Sequence, residues 1–424
     1  MCLMYEPPSV ARCRDDALKA DQEDPLAHYR ESFVIAEEGP IYLNGNSLGR
    51  QPRAVRDALA AVLGEWADQL VGAWERWAQL PGAVGDKVGT ILGAAPGQVV
   101  AVDSTTVNLY KLVVAALDAR PGREEIVSDA NDFPTVRYVL QGVASRSGHR
   151  LLRVESDPAE GLGVEELSSV MSEKTALVCL SGVNYRSGSV VDIAAASDLA
   201  HRCGALVLFD LSHGAGVLPL QLDCSGADLA VGCGYKYLNG GPGAPAWLYV
   251  RKDLQRDLRQ PIWGWWGQRD QFAMGPFYDP LAGAGRFLTG TPDVFGLSAL
   301  ASGIAPLLAA GMGPVWAKTQ CLMALLAARV EEVLGPLGAR LASPSAPLRR
   351  GGHLGVSHPD AWPATQLLAE RGLVVVDFRR PDVMRLAPVA LYTRYVDVWD
   401  AIGHIASALQ DRAARQGRGK SRFR

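Results

Sequence analysis

The feature that most restricts the fold of this chain is a run of seven short apolar segments between residues 97 and 251, each followed by a helical or turn-rich stretch. They read QVVAV (98–102), EEIVSD (124–129), RLLRVE (150–155), ALVCLSG (176–182), ALVLFD (205–210), LAVGCG (229–234) and PAWLYV (245–250). Strands alternating with helices imply βαβ units and a mostly parallel sheet, with ligands bound outside the carboxyl ends of the strands. Residues 52–94 carry helical periodicity, and 1–45 look like an arm with one helical segment. After about 295 the pattern changes to helices at 298–310 and 315–335, then HLGVSH, a helix at 363–371, LVVVDF, VMRLAP and a helix at 396–410. The expected division is an arm at 1–50 that joins the smaller domain, a large domain at 51–295, a smaller α+β domain at 296–412 and a basic, disordered tail at 413–424.

Composition narrows the partners. A net charge of −3 over 424 residues gives no electrostatic footprint for nucleic acid. Seven cysteines, an odd number with no CxxC pair, argue against a disulfide framework and for a reducing cytoplasm. The opening MCLMYEPPSVARCRDD lacks the apolar core of a signal peptide. The uncharged stretch from Val294 to Ala317 is long enough to span a membrane, but Pro306, Gly311, Gly313 and Pro314 interrupt it, so a buried interdomain helix is expected.

The chemistry is concentrated in VGCGYKYLNGGPG (231–243), where Lys236 stands between Tyr235 and Tyr237. Only eight of the 42 lysines and arginines are lysine, so candidate amines are few. A lysine among aromatics loses some of its preference for the charged form and becomes a nucleophile or base. Lysine also forms Schiff bases with carbonyls such as pyridoxal phosphate, which further needs a carboxylate for its ring nitrogen and donors for its phosphate. VLFDLSH (207–213) offers the carboxylate: Asp210 ends an apolar strand, with His213 three residues on. A helix N-cap is the other reading of Asp210. In VVAVDSTTVNLYKLVVAAL (99–117), Ser104, Thr105 and Thr106 open a helix, which suits a phosphate but also an ordinary cap. Other chemistries lack their motifs. There is no HExxH or metal-ligand spacing, no GxSxG around Ser212 and His213, and GGPGAP (240–245) has neither a Walker nor a GxGxxG pattern.

IYLNGNSLGRQP (41–52), DSTTVNLYKL, NDFPT, LSGVNYRSG, FDLSHGAGVLPL, GCGYKYLNGGPGAP, GWWG, RFLTGTP and RLAPVALY resemble, in order, the motifs of kynureninase, over roughly residues 40–400. Kynureninases are pyridoxal-phosphate enzymes of fold type I, the aspartate-aminotransferase type. The resemblance implies a seven-stranded, mostly parallel sheet flanked by helices, pyridoxal 5'-phosphate as cofactor, a homodimer with shared active sites and no metal. Lys236 would carry the Schiff base, Tyr235 would bond the phosphate and assist proton transfer, and Asp210 would pair with the ring nitrogen, with His213 nearby. Thr105, Thr106 and Ser181 would surround phosphate and ring, and Phe133 would stack on the ring. Trp265 and Thr291 would enter from a second subunit. Arg385 would hold the substrate α-carboxylate, and Asn46, Ser47 and Trp74 would line the aromatic end of the pocket.

The implied reaction is hydrolytic Cβ–Cγ cleavage of L-kynurenine to anthranilate and L-alanine, in tryptophan degradation or in a biosynthesis that uses anthranilate. Trp74 and Thr291 resemble the kynurenine-preferring pattern; a ring-substituted substrate such as 3-hydroxykynurenine is the alternative. Further alternatives are another fold-type I enzyme (a desulfurase or aminotransferase) and a binding homologue without activity. Two departures stand out. Val136 occupies the last position of a motif that usually reads FPTD, and Asn44 stands where Asp is common.

Overall fold

A computed structural model describes residues 11–421, with side chains described as far as Asp411. All seven apolar runs form strands of one sheet, in the spatial order Val99–Ala101, Trp247–Val250, Leu229–Gly232, Leu206–Asp210, Thr175–Ser181, Glu125–Asp129 and Arg150–Val154. Trp247–Val250 runs antiparallel to both neighbours, and the other four pairings are parallel. The strands are apolar throughout because both faces are covered. Val207 and Phe209 enter one core, whereas Leu206 and Leu208 enter the other.

The C-terminal part forms a four-stranded antiparallel sheet, in the order Asp377–Arg379, Val383–Leu386, Leu354–Ser357 and Arg340–Leu341. Helices Met312–Arg329, Ala361–Glu370 and Tyr395–Ser421 supply a separate core with it. LVVVDF, read as one segment, divides between two sheets. Val374–Val375 pairs with Ile41–Tyr42 of the N-terminal segment, and Asp377–Arg379 joins the four-stranded sheet. The uncharged stretch breaks at its prolines and glycines into Val294–Gly303, Ala305–Ala310 and the start of Met312–Arg329, with an 84° bend before Met312. Leu297, Leu300 and Leu307 are buried in the core beside the large sheet. Among the described residues no single helix is long and apolar enough to cross a membrane. The side chains of the basic tail lie outside the described residues.

Candidate active site

The carboxyl ends of Thr175–Ser181, Leu206–Asp210 and Leu229–Gly232 open on one pocket, lined by Ser181, Asp210 and the Tyr235–Lys236 loop. That loop connects a strand to an antiparallel neighbour, so both of its ends stand at the same edge of the sheet. Its return is tied to the segment before the Ser-Thr-Thr helix: Ala246 N–H donates to Asp103 O at 2.9 Å and Val102 N–H to Ala246 O at 2.8 Å. The N-terminal motif packs directly beneath the lysine. Gly49 N–H donates to Tyr235 O at 2.9 Å, and a Cβ at Gly49 would lie 2.3 Å from the Lys236 carbonyl, so the approach requires glycine.

Lys236 Nζ lies 3.0 Å from His213 Nε2. Burial, reinforced by the nearby Lys236 charge, holds His213 well below the ordinary histidine range, so a neutral imidazole accepts from the amine. His213 Nδ1 has no partner. Behind it stands His353, wholly buried, with ring centroids 5.2 Å apart and neither ring nitrogen bonded. Burial pushes His353 down to about 3, so this side of the pocket carries no imidazolium at neutral pH.

Asp210 ends its strand and accepts from Ser212 N–H at 2.9 Å through Oδ1, leaving the other oxygen for a ligand. Facing it, Ser104 caps helix Thr105–Asp118 by accepting from Val107 N–H at 3.4 Å, and Thr105 and Thr106 stand in the open first turn. Asp103, just before the cap, adopts a left-handed conformation at φ 49°. Buried Lys111 holds it at 2.8 Å while also donating to Phe287 O at 2.7 Å. Phe133 precedes helix Pro134–Ser147, whose proline suits the first helical position, and meets Tyr185 edge-on at 5.2 Å.

Arg385, 1% exposed, stands on the C-terminal sheet and touches the pocket wall through Tyr185. Its Nε donates to Asp377 Oδ1 at 2.7 Å and its Nη2 to Asp377 Oδ2, a two-pronged pair across adjacent strands. Nη2 also donates to Ser47 Oγ at 3.1 Å, and Nη1 to Tyr185 O at 2.5 Å. Burial opposes ionisation of Asp377, but hydrogen bonding and charge from Arg385 outweigh it and hold the carboxyl below its usual range. Asn46 is wholly buried nearby in sequence, with neither amide atom bonded.

The pocket therefore gathers Lys236, Tyr235, Asp210, His213, Thr105, Thr106, Phe133 and Ser181. It does not gather Trp74, Thr291 or Trp265 within one chain. Trp74 and Thr291 line a separate groove with Val62, Trp66, Val71 and Phe295, while Trp265 is half-exposed against Trp266 and Phe272. Sequence reasoning missed Asp377, His353 and Asp132. For Asp377 the available signal was an acid at the end of VVVD, eight residues before Arg385. Val136 is wholly buried in apolar surroundings, so no carboxylate reaches the site from that position.

The donor set fits pyridoxal phosphate: an amine beside a neutral acceptor, a carboxylate with a spare oxygen, and an open helix start with two hydroxyls. Among the described residues no group of three or more metal-ligating side chains exists, and Cys13, Cys179, Cys203, Cys224 and Cys233 are free.

Residues 315–405 match the family model of the kynureninase C-terminal domain. The chain is 39% identical over 412 residues to a kynureninase of Burkholderia pseudomallei, covering 95% of this chain and 97% of that protein. It is 38% identical over 398 residues to a kynureninase of Pseudomonas fluorescens, covering 92% and 94%. In fold it is similar to a cysteine desulfurase from Thermococcus onnurineus, with a TM-score of 0.78 at 17% identity over 91% of this chain and 98% of that one. The cystine C-S lyase C-DES matches with a TM-score of 0.73 at 18% identity over 87% and 98%. At those identities the likeness is one of fold alone, whereas near-full-length identity approaching two residues in five shows descent. The chain belongs to the kynureninase family.

Proposed function

We propose that the protein is a pyridoxal-phosphate-dependent hydrolase that cleaves the Cβ–Cγ bond of L-kynurenine, releasing anthranilate and L-alanine. The observation that carries this is the Lys236 amine 3.0 Å from neutral His213, in one pocket with Asp210, on a chain 39% identical to a kynureninase along nearly its whole length. When bound, pyridoxal phosphate supplies an aldehyde for the lysine and a ring that withdraws electrons from the substrate Cα.

The chain's own groups divide the remaining work. Lys236 would hold the aldehyde, and its free amine would move the proton at the substrate Cα, with His213 accepting from it and holding its orientation. Asp210 would offer its free oxygen to the ring nitrogen, and Thr105 and Thr106 with the helix start would hold the phosphate. Burial raises the Tyr235 phenol, so it keeps its proton at neutral pH and can donate to the substrate γ-oxygen as water adds there. Arg385, with Ser47 beside it, takes the α-carboxylate, and Asp377 fixes the plane of its guanidinium. Asn46 offers an unspent amide.

The same reading has two chains sharing each site, because Trp74, Thr291 and Trp265 stand away from Lys236 within one chain and lie among exposed apolar side chains. A cytoplasmic location accords with the free Cys13, Cys179, Cys203, Cys224 and Cys233. The flat apolar face of Trp74 favours the unsubstituted ring. Comparing kcat/KM for L-kynurenine and 3-hydroxykynurenine, followed by product fluorescence, tests both parts. Turnover of neither removes the activity, and a clear preference for the hydroxylated substrate removes the assignment of specificity.

A further inference from the structure

The residue at 136 leaves a question that Asp132, four positions earlier, answers. We propose that Asp132 replaces the carboxylate absent at 136, acting as a second carboxyl that positions Asp210 at the ring-nitrogen end of the cofactor pocket. The inference rests on the pyridoxal-phosphate reading of that pocket.

Three observations carry it. Asp132 immediately precedes Phe133, which lines the pocket, and it is only 1% exposed. Its Oδ2 accepts from Ser181 N–H at 3.3 Å and from Ser128 Oγ at 3.4 Å, and Ser181 is the register partner of Asp210. One rung of the sheet thus holds both carboxyl groups. Its Oδ1 is buried with no partner, a costly state that a purely structural aspartate avoids.

Electrostatics then divides the roles. Burial above all, with the charges of Asp129 and Asp210, pushes Asp132 up to about 8. At neutral pH it is a carboxylic acid and not a second anion, consistent with the rule that two close carboxylates in a dry site do not both ionise. The groups facing it are Ser128 and Asp129 from Glu125–Asp129, Cys179 and Ser181 from Thr175–Ser181, and Asp210 from Leu206–Asp210. Asp129 is itself held by Ser156 Oγ at 2.6 Å and Asn131 N–H at 2.8 Å, so it is engaged elsewhere. Val136 turns the opposite way chemically: it gives its volume to the apolar core.

The test uses the full-length protein, stripped of cofactor and titrated with pyridoxal phosphate. Its variants are Asp132→Asn and Asp132→Glu. Affinity is read by quenching of tryptophan fluorescence, the environment of the bound cofactor by its visible absorbance, and folding by melting of the apoprotein. Asp132→Asn is expected to weaken pyridoxal phosphate about fivefold to tenfold and to shift the visible band, with no loss of apoprotein melting temperature. Asp132→Glu, which keeps the carboxyl, is expected to return within about twofold of the parent. Unchanged affinity and band in Asp132→Asn overturn the proposal, as does a lower melting temperature with unchanged affinity. A folded Asp132→Glu no better than Asp132→Asn overturns the role of the carboxyl. Should Asp132→Glu not fold, Asp132→Ala decides: it must also weaken the cofactor and shift the band without lowering apoprotein melting, and a parent-like affinity overturns the proposal. A parent that binds no pyridoxal phosphate instead removes the functional reading on which all of this rests.

Discussion

The Lys236 pocket and the groove beside Trp74 are built by opposite means. The first encloses about 160 Å³, is walled by strand ends and one capped helix, and has its Lys236 amine and one Asp210 oxygen tied to named partners. The second holds about 560 Å³ and is rimmed by side chains with little to cover them: Trp66 is 56% exposed and Val71 81%. Size is therefore a poor guide to chemistry here. The smaller pocket is lined by strand ends and a helix start, and the larger by exposed apolar side chains. Folding fixes the geometry of the first, whereas the second depends on what packs against it.

Four substitutions can break or sharpen this contrast. The largest effect is expected at Lys236→Ala, where kynurenine turnover falls by roughly 10³-fold or more and borohydride no longer traps cofactor on the protein. Persistent trapping would place the reactive amine elsewhere. Asp377→Asn leaves Arg385 in place but loosens its plane, so KM for kynurenine should rise about tenfold to 100-fold while kcat changes less. An equal fall in both kcat and kcat/KM would mean that Asp377 acts on the reaction and not on carboxylate binding. Trp66→Asp belongs to the groove; it should weaken subunit association about tenfold or more, seen by sedimentation, with activity lost in step. A change in cofactor affinity at protein concentrations that preserve the dimer would erase the separation between the pockets. Thr291→Asn should move the preference between kynurenine and 3-hydroxykynurenine by up to about tenfold without altering the cofactor's absorbance.

A further effect is one of pH. Asp132 holds its proton up to about 8 in the folded protein, whereas an unfolded aspartate releases it near 4. The folded state binds the extra proton across that window, so this group makes apoprotein stability decline as pH rises from about 4 to about 8, with no further change above. Melting curves of Asp132→Asn should lose that part of the slope. A parent and variant with parallel curves would show that Asp132 ionises normally.

How far the sequence discloses the molecule differs between its parts. The large sheet is legible because each strand is covered on both faces, and seven unbroken apolar runs leave little else for them to be. Lys236 and Asp210 are legible for the same reason, since each sits at or just past the end of such a run. The carboxylate clamp is not, because Asp377 and Arg385 meet only when two strands pair antiparallel, and nothing local announces that register. Asp132 is hidden differently. A polar letter before FPT reads as loop, and only burial against Ser181 gives it meaning. The switch of LVVVDF from one sheet to another lies beyond pattern as well, since its first half is recruited by residues more than three hundred positions away.

The antiparallel strand Trp247–Val250 has a mechanical consequence. Because the chain turns back at the edge where the reaction occurs, the Lys236 loop is clamped at both feet, to the sheet on one side and to Asp103 on the other. Lys236 thus sits on a doubly anchored anvil. Arg385, Asp377 and the Asn46–Ser47 stretch belong to the opposing jaw, built on another sheet. The length of substrate that fits is set by the gap between jaw and anvil.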